Sequence, residues 1–494
     1  MDLSKSNSNS ENIGIVIIGA GIAGLAAAVT LEKSNYRDYK LIEAQDHVGG
    51  RICSIPHNNG WLEKGAQFLH GNESTLGQLA QELGLISDEH VGEGEGLYLQ
   101  ENGAEMNKDL ILEVDDIVKN ILEDCEKFAN NIDIEHNDVE DNIGNVLESR
   151  FYKYLKMKND PIFVRNAKEE IYDWNIRFLI IDNACNSLEN LSVKSWGKFK
   201  AVNGPEHNIF ESHYSSIVDY LVGELNQDNL ILNTPVTKVE WDDSNELTYN
   251  KPVTITLQNK KIISADCVII TCSLGFLKES QLTFFSPLLP KPHRTAIENL
   301  GFGLINKIYL DFDEPWWEPH IKGFQFLWKL SKNEENNPLR KKLAPWVYDL
   351  TGFDVVQNHK AVLLGWIGGK GAQIIETLSE SQVIQDCKIL FRYFLKNDSL
   401  PEANKCIKSC WGSNRYFKGS YSHITKKCDI TGVSPATLAE PIWGKRIKNN
   451  LHENLPILMF AGEATHENYY STTHGAYDTG VKQANIFLKH FVTK

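Results

Sequence analysis

Residues 13–24 read Ile-Gly-Ile-Val-Ile-Ile-Gly-Ala-Gly-Ile-Ala-Gly, an apolar run that leads directly into three closely spaced glycines. The alanine- and leucine-rich residues 25–33 predict a helix, and residues 39–43 predict a second strand. Strand, glycine turn, helix and strand together form a βαβ unit, which opens a parallel sheet. The stretch therefore predicts the α/β class, with a Rossmann-like nucleotide-binding domain.

The three glycines of this turn have the spacing of a dinucleotide fingerprint. Gly19 permits the tight turn, Gly21 lets the backbone approach a pyrophosphate, and Gly24 lets helix and strand pack closely. The phosphates then meet the N-terminus of the helix, whose free N–H groups and dipole favour negative charge. Glu43 ends the second strand, nineteen residues after Gly24, where a carboxylate accepts hydrogen bonds from ribose hydroxyls. These features favour dinucleotide binding over the alternative of a chance glycine turn.

A second glycine motif, Gly49-Gly50-Arg51, follows a few residues later. Its glycines offer another backbone approach to the pyrophosphate, and its arginine offers a bidentate positive charge. The alternative is a surface turn. Next to the first motif, however, the spacing favours FAD, because domains that bind only NAD do not need this second clamp.

The composition is that of an ordinary globular protein with an excess of acidic residues. The formal net charge of −15 argues against nucleic acid as a partner, because phosphate contacts require clustered Lys and Arg. The charge fits a cationic substrate, although many soluble proteins are acidic. The nine cysteines, from Cys53 to Cys428, show no paired framework. We therefore predict free thiols and no metal site, although Cys406 and Cys410 are only four residues apart.

The termini and the apolar runs bear on location. No stretch approaches the roughly 20 consecutive apolar residues that span a bilayer, so we expect no membrane segment. The polar residues 1–12 lack the basic start and apolar run of a secretory signal and are predicted to form a disordered leader. Residues 491–494 read Phe-Val-Thr-Lys, which is not a peroxisomal address of the Ser-Lys-Leu type. A cytoplasmic location is therefore expected.

At 494 residues the chain is long for one hydrophobic core, so two interleaved domains are expected. Apolar residues recur every three or four positions in 110–128 and 162–181, which predicts helices. Strand patterns return between residues 228 and 274, where 236–241 and 253–257 are predicted strands, and again at residues 406–411. The acidic residues 133–142 predict an exposed loop. The predicted FAD-binding domain is discontinuous and comprises residues 13–85, 214–300 and 440–494, whereas an inserted α+β substrate-binding domain comprises residues 86–213 and 301–439.

The motifs resemble the start of the flavin amine oxidase superfamily, and further blocks extend the resemblance over nearly the whole chain. Residues 65–71, Gly-Ala-Gln-Phe-Leu-His-Gly, are similar to a motif of the animal spermine oxidases and N1-acetylpolyamine oxidases, which carries a histidine at the position of His70. The other blocks that resemble this polyamine oxidase family are residues 301–307 with 314–317, 411–414 with 419–422, 460–466 and 469–475.

The resemblance implies roles for several side chains. Lys307 would hold a water against the flavin N5 atom, the alternative being an ordinary surface lysine on an edge strand. Tyr421 and Tyr469 would form aromatic walls that steer the substrate nitrogen, the alternative being core packing. His70 would be a polar group of the substrate channel, because an imidazole can bind an amine or relay a proton near neutral pH. A structural histidine is the alternative.

The resemblance also implies contacts with the cofactor. Glu463 would accept from the ribityl chain or lie near the pyrophosphate, Thr473 would lie against the isoalloxazine, and the backbone of Val236 would contact the adenine. The predicted cofactor-binding residues are Gly19, Gly21, Gly24, Glu43, Gly50, Arg51, Gly65, Val236, Glu463 and Thr473. The predicted substrate contacts are His70, Asn186, Tyr469 and Thr472, and the predicted catalytic residues are Lys307, His70, Tyr421 and Tyr469.

Two absences and one departure refine this assignment. Monoamine oxidases with covalent flavin carry a cysteine in the C-terminal motif, whereas residues 469–473 read Tyr-Tyr-Ser-Thr-Thr, so FAD is expected to bind without a covalent bond. The long coiled-coil insertion of the histone demethylases is also missing. Around Asn186, vertebrate spermine oxidases have a Cys-Glu-Ser pattern whose glutamate grips a distal ammonium; here Asn186 stands in its place and Glu189 is a nearby substitute.

The sequence thus predicts an FAD-dependent polyamine oxidase. It would oxidise a carbon next to a secondary amine of spermine or N1-acetylspermine with O2, giving spermidine, an aminoaldehyde and hydrogen peroxide. Three alternatives stay open: an FAD amine oxidase with a different amine, a flavin-bound binding protein without turnover, and an amino-acid oxidase. The last requires an arginine for the substrate carboxylate, and the sequence locates none. The chain is expected to act as a monomer or a dimer.

Overall fold

The computed structural model describes residues 11–90, 92–130, 141–242, 251–330, 337–448 and 451–492. The chain divides into two compact units: a first unit of Met1–His90, Phe199–Leu300 and Val433–Lys494, and a second unit of Val91–Lys198 and Gly301–Gly432. Residues 1–10 of the predicted leader and 133–140 of the predicted acidic loop lie outside the described residues. Glu11 and Asn12, which the prediction placed in the leader, begin the first strand.

Strands and helices are numbered in chain order. The strands are β1 (Glu11–Ile18), β2 (Tyr39–Ile42), β3 (Ser54–His57), β4 (Gly60–Glu63), β5 (Ile86–His90), β6 (Leu97–Gln100), β7 (Asn208–Phe210), β8 (Leu230–Ile231), β9 (Val236–Trp241), β10 (Val253–Leu257), β11 (Ile262–Ile270), β12 (Phe285–Ser286), β13 (Gly301–Gly303), β14 (Asn306–Asp311), β15 (Gly323–Leu327), β16 (Gly352–Val355), β17 (Val362–Ile367), β18 (Lys405–Lys408), β19 (Tyr421–His423), β20 (Ile442–Lys448) and β21 (Leu451–Phe460). The helices are α1 (Ile22–Lys33), α2 (Thr75–Glu82), α3 (Lys108–Ala129), α4 (Ile143–Lys158), α5 (Ile162–Asp182), α6 (Ser216–Gly223), α7 (Leu274–Phe284), α8 (Lys291–Asn299), α9 (Gly369–Thr377), α10 (Glu380–Leu395), α11 (Lys426–Thr431), α12 (Pro435–Ala439) and α13 (Thr473–Phe491).

A parallel sheet forms the centre of the first unit, with strand order β8-β2-β1-β11-β21. Ile15, Val16 and Ile17 of β1 have no exposed surface, because a central parallel strand is covered on both faces. This double cover explains why the opening run of the sequence is apolar without alternation. β9 and β10 extend the sheet as antiparallel strands. The predicted α/β class with a Rossmann-like domain is confirmed.

Helix α1 packs closely against α13 in this unit. A Cβ added to Gly480 of α13 would lie 2.1 Å from the carbonyl oxygen of Ala23 in α1, so only glycine permits the approach. Ala26, Ala27 and Ala28 of α1 are fully buried, and their small side chains let neighbouring elements come close. The first helix of the described chain is therefore held in place by the last one.

The second unit contains a six-stranded sheet in the order β18-β14-β17-β16-β15-β6. These strands are antiparallel except for β15 and β6. Helices α3, α4 and α5 bury a shared apolar core, represented by Val114, Phe151 and Ile171, none of which has exposed surface. A separate ribbon pairs β13 with β19. This ribbon and β14 carry two of the predicted catalytic residues.

Two predicted elements have different bounds in the structure. The helix predicted from residue 25 begins at Ile22, because Gly21 in an extended conformation is its N-cap. The strand predicted over residues 406–411 ends at Lys408, and beyond it the backbone N–H groups of Trp411 and Gly412 donate to side chains. Glu376 accepts a hydrogen bond from the backbone of Gly412 at 2.8 Å. The strands predicted over residues 236–241 and 253–257 coincide with β9 and β10.

Two further findings bear on the sequence expectations. All nine cysteines are free thiols, as predicted. Within the described ranges, no helix combines the length and apolarity needed to cross a bilayer.

Candidate active site

The glycine turn between β1 and α1 has the geometry expected of a phosphate-binding loop. Gly19 adopts φ +106°, in the region that favours glycine. A Cβ on Gly24 would lie 1.9 Å from the carbonyl oxygen of Gly19, whereas a Cβ on Gly21 would meet no protein atom within 4 Å. The first and third glycines are therefore required by the protein itself. The middle glycine leaves open space beside the backbone.

Glu43 is tied to this turn by its carboxylate. The side chain is 7% exposed, and one oxygen accepts a hydrogen bond from the backbone N–H of Ala20 at 2.7 Å, while the other accepts from Gln45 at 2.9 Å. The backbone N–H of Thr234 donates to the Glu43 carbonyl at 2.9 Å, and Val236 follows two residues later at the start of β9. Since a carboxylate has about four acceptor sites, Glu43 retains capacity for ribose hydroxyls.

The second glycine motif lies against the first. The backbone N–H of Gly49 donates to the carbonyl of Ala20 at 2.9 Å, and Gly49 and Gly50 adopt φ of +96° and +62°. Arg51 forms an ion pair with Glu463, with 2.9 Å between Nη1 and Oε1. Its carbonyl accepts from Ala66 at 3.0 Å, so the neighbouring Gly65 lies in the same assembly.

The predicted C-terminal flavin motif joins this assembly through Glu463. Its other carboxylate oxygen accepts from the backbone N–H of Ser471 at 3.1 Å. Thr472 caps α13 by accepting from Gly475 at 3.0 Å. The hydroxyl of Thr473 lies 2.5 Å from the hydroxyl of the buried Tyr214. Thr473 therefore has a partner within the protein, and no local sequence pattern predicts this contact.

These contacts place all ten predicted cofactor-binding residues in the first unit, and the arrangement fits a dinucleotide. The N-terminus of α1 has no side-chain cap, and the first turn of a helix leaves backbone N–H groups free for an anion. Gly21 and Gly462 are open positions, where a Cβ would meet no protein atom within 4 Å. Glu43 supplies acceptors beside them. This arrangement of open glycine positions, backbone N–H groups and a carboxylate fits a dinucleotide such as FAD.

Aromatic and imidazole rings surround Tyr469 in the same unit. Its ring stacks on His466 with 4.7 Å between centroids and meets His474 edge-on at 5.0 Å. Burial lowers the pKa of His466 to about 4, and burial followed by His70 and His466 lowers that of His474 to about 3. Burial, followed by His207, also lowers the pKa of His70. These imidazoles are therefore neutral near pH 7.

His70 is oriented by the segment that it packs against. Its Nδ1 lies 2.9 Å from the carbonyl oxygen of Glu206, so Nδ1 carries the proton and donates, and Nε2 is left as an acceptor. Leu69 exchanges two backbone hydrogen bonds with Asn208, which fixes the loop that presents the ring. A neutral imidazole whose Nε2 carries no proton can accept a hydrogen bond from an N–H donor.

Lys307 is an interior residue of the second unit. β14 has neighbours on both sides, β17 and β18, and the lysine side chain is 2% exposed. Its Nζ lies 4.3 Å from the centroid of the Trp366 ring. Its backbone N–H donates to Ser409 at 2.8 Å, and Ser409 donates to Asn306 at 2.9 Å. The alternative of a surface lysine on an edge strand is wrong.

Tyr421 is anchored through its hydroxyl. The O–H donates to the carbonyl oxygen of Ile181 at 2.7 Å, and burial raises the pKa of Tyr421 well above its ordinary value. The ring packs against the cluster of Ile181, Ala184 and Ile305. With the hydroxyl engaged, the tyrosine can offer only its ring face to a ligand.

Asn186 and Glu189 follow α5 in the second unit, and both side chains are exposed. Glu189 lies in a short 3-10 helix, Leu188–Asn190, and its backbone N–H donates to the hydroxyl of Ser187 at 3.2 Å. An exposed carboxylate contributes less to ammonium binding than a buried carboxylate does, because water competes for the charge.

The sequence analysis assigned no role to five residues that help to build this architecture. They are Tyr214, Asn306, Trp366, His474 and Gly480. The pairing of Trp366 with Lys307 is set by strand register over a long sequence separation, and no local pattern reveals it. His474 belongs to the motif at residues 469–475. Its helical spacing from the apolar residues of α13 was the sequence signal that its side chain would be buried.

Comparisons with known proteins agree with this architecture. The profile of the family described as "Flavin containing amine oxidoreductase" matches residues 22–487. The peroxisomal N(1)-acetyl-spermine/spermidine oxidases of Bos taurus and Homo sapiens are each 28% identical to this chain, over 96% of it and 94% of their own length. "Probable polyamine oxidase 5" of Arabidopsis thaliana is 28% identical over 97% of this chain and 98% of its own length.

Solved structures show the same fold. A putrescine oxidase, in its wild-type form bound to putrescine, superposes with a TM-score of 0.68 at 18% identity, covering 97% of this chain and 100% of that one. The family match over residues 22–487 extends over nearly the whole chain. The chain therefore belongs to the flavin-containing amine oxidoreductase family and is an FAD-dependent amine oxidase.

Proposed function

We propose that this amine oxidase acts on polyamines. It would oxidise a carbon next to a secondary amine of spermine or N1-acetylspermine with O2 and water, giving spermidine, an aminoaldehyde and hydrogen peroxide. The observation that supports the proposal most is the burial of Lys307, because an amine 2% exposed on an interior strand is rare among lysines, which are almost never fully buried. The polyamine specificity of relatives and the net charge of −15 support a cationic substrate.

The proposed roles of the residues follow from their chemistry. Bound FAD supplies the capacity to accept two electrons and return them to O2. His70, with its acceptor nitrogen, would accept a hydrogen bond from the N–H of the neutral substrate amine and so orient its lone pair. Tyr421 and Tyr469 would each offer a ring face to the substrate. Lys307 would hold a water near the flavin, where the buried amine would assist hydrolysis of the imine into an amine and an aminoaldehyde, or reoxidation of the flavin by O2.

A substrate panel tests the proposal. Peroxide release is measured with spermine, N1-acetylspermine, spermidine, putrescine, a simple monoamine and an amino acid. We expect the highest kcat/KM with spermine or N1-acetylspermine. Bleaching of the yellow holoenzyme under anaerobic conditions by the same compounds separates an oxidase from a flavin-bound protein without turnover. Faster oxidation of the monoamine or the amino acid would contradict the polyamine assignment.

Lys307→Met tests the assigned role of the buried amine. The substitution retains length and apolar contacts but removes the amine, so FAD should remain bound while turnover falls about tenfold or more, which corresponds to about 1.4 kcal/mol on the barrier. Lys322→Met, at an exposed lysine that pairs with Glu95, is the matched control. Rates of Lys307→Met that equal those of wild type would remove Lys307 from the mechanism.

A further inference from the structure

Trp366 lies directly opposite Lys307 in the six-stranded sheet of the second unit. β14 and β17 are antiparallel neighbours, and their register pairs these two residues. Side chains at paired positions project from the same face of a sheet. Lys307 Nζ lies 4.3 Å from the centroid of the Trp366 ring, so the amine rests on the face of the indole.

The burial of Lys307 strengthens this contact. Trp is the aromatic side chain that attracts cations best, and the attraction grows when the cation is desolvated. At 2% exposure, the Lys307 amine is largely removed from water. A lysine side chain otherwise samples many rotamers, so a ring face beneath Nζ restricts where the amine lies.

Packing, and not hydrogen bonding, holds the indole. Trp366 packs against the apolar cluster of Ile181, Ala184 and Ile305. Its Nε1–H is buried and donates to no atom of the residues that the structure describes. An unpaired buried donor is unfavourable, and Phe or Leu would fill apolar space without one. Space-filling alone therefore does not explain an indole here, whereas the ring face beneath Lys307 does.

We propose that Trp366 is a positioning residue, whose ring face holds the Lys307 amine at its working position. The proposal rests on the function proposed for Lys307 and adds the neighbour that fixes it. Trp366 takes no part in bond making or electron transfer. Its contribution is to limit the positions open to Nζ, through cation–π attraction when the amine is protonated and through van der Waals contact when it is neutral.

The test uses Trp366→Phe and Trp366→Leu, the latter alone and combined with Lys307→Met. The FAD of each purified holoenzyme is photoreduced, and reoxidation by O2 is followed by stopped-flow absorbance, which requires no amine substrate. Trp328→Leu is the matched control, because Trp328 is a buried indole of the same unit that faces Arg340 at 5.5 Å. Flavin content and thermal midpoint are recorded for every variant.

We expect Trp366→Leu to slow reoxidation about tenfold, equivalent to about 1.4 kcal/mol, and Trp366→Phe to stay within about threefold of wild type. Because Trp366 acts through Lys307, Trp366→Leu should have no further effect in the Lys307→Met background. Equal slowing in both backgrounds would show a merely structural role and overturn the proposal. Wild-type reoxidation of Trp366→Leu, or of Lys307→Met itself, would also overturn it.

A second readout does not depend on turnover. Reductive methylation of lysines, quantified by peptide mass spectrometry, should label Lys307 several-fold faster in Trp366→Leu and leave it unchanged in Trp328→Leu. Unchanged labelling in Trp366→Leu would refute the positioning role. If the expected reoxidation and labelling results occur while no polyamine releases peroxide from the wild type, the substrate proposal fails and the positioning role stands.

Discussion

The contrast between Gly21 and Gly24 gives a stringent prediction for the cofactor site. Both are fingerprint glycines, yet the protein constrains them differently. A Cβ on Gly21 would meet no protein atom within 4 Å, and its backbone angles of −71° and 178° suit any residue. A Cβ on Gly24 would lie 1.9 Å from the Gly19 carbonyl oxygen, where about 3.0 Å is the practical minimum, so α1 would have to shift by about 1.1 Å.

The two alanine variants should therefore fail differently. Gly21→Ala should leave the apoprotein as stable as wild type or stabilise it by about 0.4–1 kcal/mol, because the native backbone suits alanine. It should weaken FAD binding about 10- to 150-fold, since a methyl group that blocks one charge-assisted hydrogen bond to the pyrophosphate loses about 1.5–3 kcal/mol. Gly24→Ala should destabilise even the apoprotein by about 1–3 kcal/mol through overpacking.

The assay combines FAD titration of apoprotein, followed by quenching of flavin fluorescence, with denaturant unfolding of each apoprotein. Gly223→Ala is the control, because Gly223 ends α6 and a Cβ there also meets no protein atom within 4 Å. FAD binding by Gly21→Ala at wild-type affinity would refute the placement of the pyrophosphate. Wild-type stability of the Gly24→Ala apoprotein would refute the steric argument.

Three further outcomes are expected. Acid or heat precipitation should release the yellow chromophore into the supernatant as FAD, because residues 469–473 contain no cysteine; flavin retained in the pellet would indicate a covalent bond. Asn186→Glu should raise kcat/KM for spermine several-fold more than for N1-acetylspermine, and if Glu189→Gln alone collapses that ratio, then Glu189 binds the ammonium instead. Burial holds the pKa of His474 at about 3 against an ordinary 6.5, so the unfolded chain takes up this proton first as pH falls. The contribution of the neutral ring to the free energy of unfolding is complete above about pH 6.5 and is lost towards pH 3 at about 1.4 kcal/mol per pH unit. In denaturant titrations at several pH values, His474→Gln should reduce the pH dependence of the free energy of unfolding by the equivalent of one proton. An unchanged pH dependence in this variant would contradict the role of His474.

The sequence predicted the parts of the fold that depend on local patterns. The apolar run before Gly19 predicted a strand that opens a parallel sheet, and the spacing from Gly24 to Glu43 located the carboxylate that meets the turn. Those features are local because a βαβ unit is built from consecutive elements. The same holds for α3 and α5, whose apolar spacing gave their positions to within two residues.

Contacts between distant segments were the ones that the sequence did not reveal. Trp366 faces Lys307 because two strands share a register, and Thr473 meets Tyr214 across 259 residues of chain. The side chain of Glu43 was expected to face ribose alone, yet it also accepts a hydrogen bond from Ala20 within the glycine turn. Such pairings depend on tertiary packing, which residue spacing along one segment does not encode.

The packing of Gly480 against Ala23 has a consequence for the order of synthesis. Helix α1 is synthesised long before its packing partner α13. Arg51 is likewise synthesised long before its ion-pair partner Glu463, which lies 412 residues later in the chain. Contacts of such sequence separation form late, since the intervening chain must first be closed into a loop. Helix α1 and Arg51 therefore acquire these partners only after residues 463–491 have been synthesised, and the packing of the first βαβ unit is incomplete until then.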